Sequence, residues 1–431
     1  MEVQHVARNT DLHLRNQMIY SVFVRNYSSE GTFEKVLLFF IWLSVTVKAQ
    51  EDSLCIRLDS LLRDEMFETS QVGLMVYDLT ADSTRFAFNH RQLLRPASTM
   101  KLVTAVTALD LLGGDYEYKT AIYYTGSIID STLTGDIYCV GGFDPMLTED
   151  DVKSMAFQLL QLGIDSISGS LFADCSMKEA LEYGEGWCWD DDNPLLTPLS
   201  IGRKNIFTDR LMAALAENNV AIGGITLGEA TLPNGAQLVC RYTHGIDHVL
   251  MRMLKDSDNF YAESMFYQTA AASGHHPAKA SDARNATKRL IGRLGLGKNP
   301  YKIADGSGLS LYNYVSAELL TMLLRHAWRM PAIRSHLLPA LPIAGVDGTL
   351  KDRMKRTAAS GNVRAKTGTL TGISSLAGYC TSADGHRLAF AIINQGVMRN
   401  KVGKDFQDRV CRVLCETLLT PTLSTLSTDY E

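Results

Sequence analysis

Apolar positions recur at helical spacing over residues 53–67 (SLCIRLDSLLRDEMF), which predicts a helix. Residues 73–89 (GLMVYDLTADSTRFAFN) alternate instead like two strands joined by a polar turn. A second helix starts near Ser98, its apolar face running through Leu102, Val103, Val106, Leu109 and Leu112, and Gly113-Gly114 stops it. From Tyr116 to about Ala236 the texture changes. Short strand-like pieces at 136–140, 170–173 and 222–227 surround a helical pattern at 152–162, the mark of an inserted module. Helical spacing returns over 248–272 and 317–328. Residues 376–380 and 387–393 alternate around Ala383-Asp384-Gly385 as a hairpin, and 406–418 read as a closing helix before a Thr- and Ser-rich tail.

Near the start, residues 36–47 (VLLFFIWLSVTV) form an apolar run behind Lys35, too short to span a bilayer, followed by Val47-Lys48-Ala49 ahead of Gln50. This pattern predicts a signal peptide and an exported, periplasmic or cell-envelope protein; a buried strand or core helix is the alternative. The expected divisions are a leader over 1–49, a first domain part over 50–115, an inserted β-rich module over 116–236, a second domain part over 237–418 and a tail over 419–431.

The 431 residues are 46% hydrophobic and 21% charged with a net charge of -5, an ordinary balance for a globular chain with ample core material. Basic residues are not clustered with aromatics, so a nucleic-acid partner is not expected and a small, locally recognised substrate is. The eight cysteines are too sparse to read as a disulfide framework and are expected to be free, buried thiols. Cys411 and Cys415 lack a completing pair, so no metal and no cofactor is expected. The segment from Gly292 to Lys298 nearly matches a phosphate loop, but Asn299 stands where Ser or Thr is required, and it reads as a helix ending in glycine.

Three short strings carry chemistry: Ser98-Thr99-Met100-Lys101, Ser257-Asp258-Asn259 and Lys366-Thr367-Gly368. Alone, each is most often a helix start, a cap or a strand end. Together they supply the parts for acyl transfer through a serine ester. The spacing of three puts the Lys101 amine beside the Ser98 hydroxyl if the segment is helical. An ordinary lysine, with a pKa of about 10.4, is a poor base at neutral pH. Burial and the charge of Lys366 are expected to favour the neutral form of Lys101, leaving Lys366 as the cation that attracts a substrate carboxylate. Ser257 is expected to relay a proton to the leaving amine, and Asn259 to orient Lys101 and bind a substrate amide, with Asp258 pointing away. Thr367, Gly368 and Thr369 are expected to line the substrate on a strand edge, the backbone N–H groups near Thr369 and at Ser98 forming an oxyanion hole.

In these motifs the chain resembles the penicillin-binding proteins of the D-alanyl-D-alanine carboxypeptidase/endopeptidase group, the class C low-molecular-mass type. The stretches Arg95-Pro-Ala-Ser-Thr-Met-Lys101, Gly186-Trp187-Cys188-Trp189-Asp190-Asp191, Asp305-Gly-Ser-Gly-Leu309 and Leu341-Pro-Ile-Ala-Gly-Val-Asp-Gly-Thr349 also resemble that group. The resemblance implies an α/β (α+β) transpeptidase-like fold, an antiparallel sheet flanked by helices and interrupted by extra material. It also implies action on peptidoglycan stem peptides and covalent inhibition by β-lactam antibiotics. The rival readings are a serine β-lactamase and a non-catalytic wall-binding protein of the same fold. The β-lactamase reading calls for a deacylating glutamate, and between Ser257 and Lys366 only Glu263 and Glu318 are on offer, both in helical patterns.

Overall fold

The computed structural model describes residues 53–419 apart from 192, 194 and 223–225; the apolar run at 36–47 lies outside the described residues, as does most of the tail. In chain order the elements begin with helix α1 (Ser53–Leu61), strands β1 (Gln71–Asp78) and β2 (Ser83–Phe88), helix α2 (Met100–Leu112), and strands β3 (Glu117–Tyr124), β4 (Ser127–Ile129), β5 (Thr132–Thr134) and β6 (Ile137–Val140). Next come α3 (Glu149–Leu160), β7 (Ser166–Ile167), β8 (Leu171–Asp174), α4 (Phe207–Glu217), β9 (Leu227–Glu229) and β10 (Gln237–Gly245). Helices α5 (Ile246–Lys255), α6 (Asn259–Ala271), α7 (Ala280–Arg293), α8 (Ala317–Arg329) and α9 (Pro331–Ala340) precede β11 (Arg364–Leu370), β12 (Gly372–Thr381), β13 (Arg387–Val397) and α10 (Asn400–Glu416).

The main sheet is antiparallel throughout, in the order β11-β12-β13-β1-β2. The near-continuous apolar runs of β1 and β13 leave almost no exposed position, as strands covered on both faces require. Neighbouring residues of β12 show the two covers. Ser374 faces α10, where Gln407 Nε2 donates to its hydroxyl at 3.0 Å, while Ser375 faces the turn carrying Ser98 and donates to Pro96 O at 2.5 Å. The expected sheet flanked by helices is therefore present, and the Lys366-Thr367-Gly368 string lies on β11, its outermost strand.

Helix α2 differs from the one-faced helix that its spacing predicts. Every residue from Met100 to Leu109 is buried, because α6, α7, α8 and α9 all pack against it. The helix thereby carries Lys101 into the interior. Gly113, at φ +83°, ends it.

The segment between the first two strings has its own core, built on Ile122, Leu133, Ile137, Met155, Leu171 and Leu211 among others. A second sheet in the order β10-β3-β6-β8-β9 and a small one in the order β4-β5-β7 pack there with α3 and α4. The module's sheet runs past the expected boundary at 236: β10 pairs with β3 from Gln237 to Gly245. That boundary fell where the polar Pro233-Asn234-Gly235 turn breaks the pattern, and pairing distant in sequence leaves no local signal. The third strand-like piece is likewise displaced, β9 beginning only at Leu227.

Candidate active site

Ser98 sits in a single 3-10 turn, Ala97–Thr99, that runs directly into α2. Ala97 has φ +48°, a backbone state costly for a residue with a side chain and one that collects at functional sites. Two close approaches hold it. A Cβ on Gly308 would stand 1.9 Å from Ala97 O, and one on Gly368 would stand 2.7 Å from Pro96 O and 3.0 Å from Ser98 N. Only glycine at both positions lets the 305–310 loop and β11 close on the turn from two sides.

One helical step further, the fully buried Lys101 Nζ lies 3.0 Å from Ser98 Oγ, 2.7 Å from Asn259 Oδ1 and 2.8 Å from Ser307 O. Burial of an ammonium costs several kcal/mol unless hydrogen bonds replace its water. A neutral amine has only two N–H groups, and the two carbonyl oxygens take both. The lone pair is then left to face the Ser98 hydroxyl, the arrangement a general base needs.

Ser257 and Asn259 reach the site from a break between two helices. Lys255 ends α5, Ser257 adopts φ +63°, and Asp258 caps α6 by accepting from Phe260 N at 3.0 Å and Tyr261 N at 3.4 Å. Arg203 pairs with the same Asp258 carboxylate. Asp258 thus turns away while its neighbours turn in: Asn259 to Lys101, and Ser257 to Lys366, whose Nζ donates to Ser257 Oγ at 2.8 Å and to Thr367 O at 2.8 Å. Asn259 Nδ2 donates in turn to Asn193 Oδ1 at 3.1 Å. Thr367 Oγ1 donates to Thr349 Oγ1 at 2.8 Å, and Thr369 is exposed one residue beyond Gly368. The fold thus brings Lys101 to Ser98 and Asn259, and Lys366 to Ser257, with Gly368 as the close backbone neighbour of the Ser98 turn.

The electrostatics differ from the expected division between the two lysines. Desolvation lowers both. Lys101 falls only to about 8, because Asp305, Glu263 and Asp258 support its charge. Lys366 falls well below the ordinary lysine value, through burial first and the neighbouring Lys101 charge second, with no carboxylate to offset either. Of the two, Lys101 is the one whose charge neighbouring carboxylates support. Motif reading could not see this, since Asp305 and Glu263 come from outside the strings and Asp258 was read only as pointing away.

The residues missed at the sequence level form one web around the 305–310 loop. The buried Asp305 carboxylate accepts from Trp187 Nε1 (2.8 Å), Gly308 N (2.8 Å), Ser310 N (2.7 Å), Asn313 Nδ2 (2.7 Å) and Ser307 Oγ (3.2 Å). Thr104 Oγ1, on α2, donates to Gly306 O at 2.6 Å. The signal was the stretch from Asp305 to Leu309, noted only for its resemblance. Trp187, assigned no role, orients Asp305; Trp189 is 90% exposed.

The sequence profile of the D-Ala-D-Ala carboxypeptidase 3 (S13) family matches residues 54–201 and 197–417. The chain belongs to that family. Similar relatives include a D-alanyl-D-alanine carboxypeptidase of Actinomadura sp. (strain R39), 26% identical over 79% of this chain and 80% of that protein. Another is the D-alanyl-D-alanine carboxypeptidase DacB of Haemophilus influenzae, 25% identical over 76% of this chain and 86% of that protein. Among solved structures, penicillin binding protein 4 (dacB) from Haemophilus influenzae is similar in fold, with a TM-score of 0.73 over 82% of this chain and 97% of that one at 23% identity. A predatory endopeptidase from Bdellovibrio bacteriovorus is also similar, at a TM-score of 0.55 and 15% identity. The S13 match covers residues of both the main sheet and the second sheet.

Proposed function

We propose that the chain is a serine DD-peptidase that hydrolyses D-alanyl-D-alanine bonds of peptidoglycan stem peptides. The observation that carries this reading is the placement of Lys101 Nζ between Ser98 Oγ and two carbonyl acceptors. In this reading Ser98 Oγ attacks the scissile carbonyl and gives its proton to Lys101. The Ser98 and Thr369 N–H groups take the developing oxyanion. Ser257, hydrogen-bonded to Lys366, passes a proton to the leaving D-alanine amine and is reprotonated from Lys101, which is thereby restored as a base. Water then hydrolyses the ester on Ser98. Asn259 orients both base and substrate, and the strand edge from Thr367 to Thr369 pairs with the peptide. A β-lactam acylates the same hydroxyl as its ring C–N bond breaks, but the freed nitrogen stays covalently attached to the acyl group, so it acts as a covalent inhibitor.

The β-lactamase alternative needs a carboxylate free to activate water. Glu263 is 1% exposed and spent on the backbone N–H groups of Gly306 and Ser307; Glu318 is tied to Arg91 at 3.1 Å. A wall-directed substrate fits the expected export from the cytoplasm, and no helix among the described residues is long and apolar enough to cross a membrane. Labelling with a fluorescent penicillin is the test. Stable labelling of the wild type and none of Ser98→Ala supports the reading. Equal labelling of both removes Ser98 as nucleophile, and sustained turnover of a chromogenic cephalosporin assigns a β-lactamase. Mass spectrometry of digested muropeptides separates release of D-alanine from scission of cross-links.

A further inference from the structure

The connection from β8 to α4 belongs to the inserted segment, yet it touches the second string twice. Asn193 Oδ1 accepts from Asn259 Nδ2 at 3.1 Å, and Arg203 Nη2 pairs with Asp258 Oδ2. The second contact comes from a turn that arginine does not favour. Ile201 and Lys204 exchange two backbone hydrogen bonds of 2.9 Å, closing a two-residue hairpin over Gly202 and Arg203. Gly202 has φ +54° and Arg203 φ +69°, the type I′ arrangement, in which glycine is the ordinary choice at the second position. An arginine there bears a backbone cost, and such costs collect at functional sites. Ile201, 4% exposed, anchors the hairpin in the core of the inserted segment, and the tip reaches from there to the break between α5 and α6.

We infer that Arg203 is a positioning residue: through Asp258 it holds the turn that aims Ser257 and Asn259 into the site, so the inserted segment sets part of the geometry of acylation. Asp258 stands between the two side chains that act, and its carboxylate is buried. Oδ1 accepts from Phe260 N and Tyr261 N, which fixes it against α6; Oδ2 meets Arg203, which fixes it against the insert. Arg252 Nε stands 3.9 Å from the same Oδ2, but that guanidinium is half-exposed and is shared with Asp256 at 3.4 Å. With both oxygens held, the backbone on either side is held too: Ser257, at φ +63°, toward Lys366, and Asn259 toward Lys101. Without the Arg203 guanidinium the carboxylate is left short of its cation in a buried place, a costly state that it relieves by turning toward water or Arg252. Either movement pulls on Ser257 and Asn259, and a shift of a few tenths of an ångström at reacting groups costs roughly tenfold in rate.

This inference rests on the proposed acylation of Ser98. The measurement is the penicillin acylation rate of the full chain, beside urea unfolding that shows each variant folded under the assay conditions. Arg203→Met keeps the length of the side chain and removes its charge and donors; Arg203 is half-exposed, so the core is untouched. Asp258→Asn keeps an oxygen for the α6 cap and gives up the ion pair. Each is expected to slow acylation roughly tenfold, and the double variant to be no slower than Asp258→Asn alone, because both act through one contact. Arg203→Lys is expected to recover most of the rate, since the contact uses one nitrogen that an ammonium can replace. A folded Arg203→Met protein acylated at the wild-type rate overturns the inference, the pair then serving stability alone. Losses that multiply in the double variant overturn it as well, because Arg203 would then act by another route, such as its charge on Lys101. Asp258→Asn supplies an arm independent of folding in the Arg203 variants: an unaltered acylation rate there refutes the inference too. A wild type that is never acylated overturns the functional reading itself.

Discussion

Replacing Gly368 by alanine separates the geometry of the nucleophile from its chemistry, because it removes no functional group. The added methyl would stand 2.2 Å from Ser375 Oγ, 2.7 Å from Pro96 O and 3.0 Å from Ser98 N. Ordinary contacts at these atoms need roughly 3.5 Å, so the methyl and its neighbours must separate by about 1 Å. Ser375 cannot simply rotate away. Its hydroxyl donates to Pro96 O at 2.5 Å and accepts from Thr99 Oγ1 at 3.2 Å, so its movement unlocks the turn on both sides of Ser98. The alternative is displacement of β11, which drags Lys366 from Ser257. Either way the attacking oxygen shifts against its base by several tenths of an ångström to 1 Å, for which about a hundredfold loss of acylation rate is expected. Strand β11 is outermost, so the sheet can yield there, and the stability loss should stay near the usual 1–3 kcal/mol for overpacking. The assay is the second-order rate of penicillin acylation beside urea unfolding. A Gly368→Ala protein that acylates within threefold of the wild type would show that β11 and the turn are not held in register by this contact.

The wild-type acylation rate should rise with pH through about 8, because Lys101 must lose its proton to accept one from Ser98; a rate flat from pH 6 to 9 contradicts its role as base. Asp305→Asn replaces an acceptor for five donors with a group that presents its own N–H toward some of them, and should cost about 3 kcal/mol in urea unfolding. It should also slow acylation by loosening the Ser307 carbonyl, and an unaltered acylation rate would detach this loop from the base.

The sheet and the main helices could be read from the chain because their signals are local: alternation for the β12–β13 hairpin, helical spacing for α2 and α8. Their bounds moved by a few residues, and the all-round burial of α2 was invisible because Lys101 and Thr104 look like part of a polar face until the 305–310 loop closes over them. The same limit applied at the site. Ser98, Lys101, Ser257, Asn259 and Lys366 stand out as residue types able to do chemistry. Ser307 acts through its carbonyl, which every residue has, and Glu263 through two backbone donors. Neither shows that contact with the base through its residue type alone. The direction of the lysine electrostatics depended on Asp305, Glu263 and Asp258, whose approach to Lys101 is made only by the fold.

The reversed lysines also explain what a substrate carboxylate must do beyond binding. Burial and the Lys101 charge loosen the hold of Lys366 on its proton, with Nζ bonded to Ser257 Oγ and Thr367 O, while three acids support the charge of Lys101. A terminal carboxylate arriving beside Lys366 reverses the balance. An opposite charge at that range raises a lysine by about 1–3 pKa units, so Lys366 becomes the cation. The Coulomb interaction between the two lysines is mutual, and the new charge on Lys366 now drives the proton off Lys101. Binding thereby creates the base. A peptide ending in D-alanyl-D-alanine carboxamide should accordingly lose more than affinity: kcat should fall, and the acid limb of its kcat profile should lie at higher pH than that of the free acid. Steady-state cleavage followed by mass spectrometry measures both. If the carboxamide raises KM alone and leaves the limb in place, the carboxylate serves only as an anchor and the two lysines do not exchange their charge.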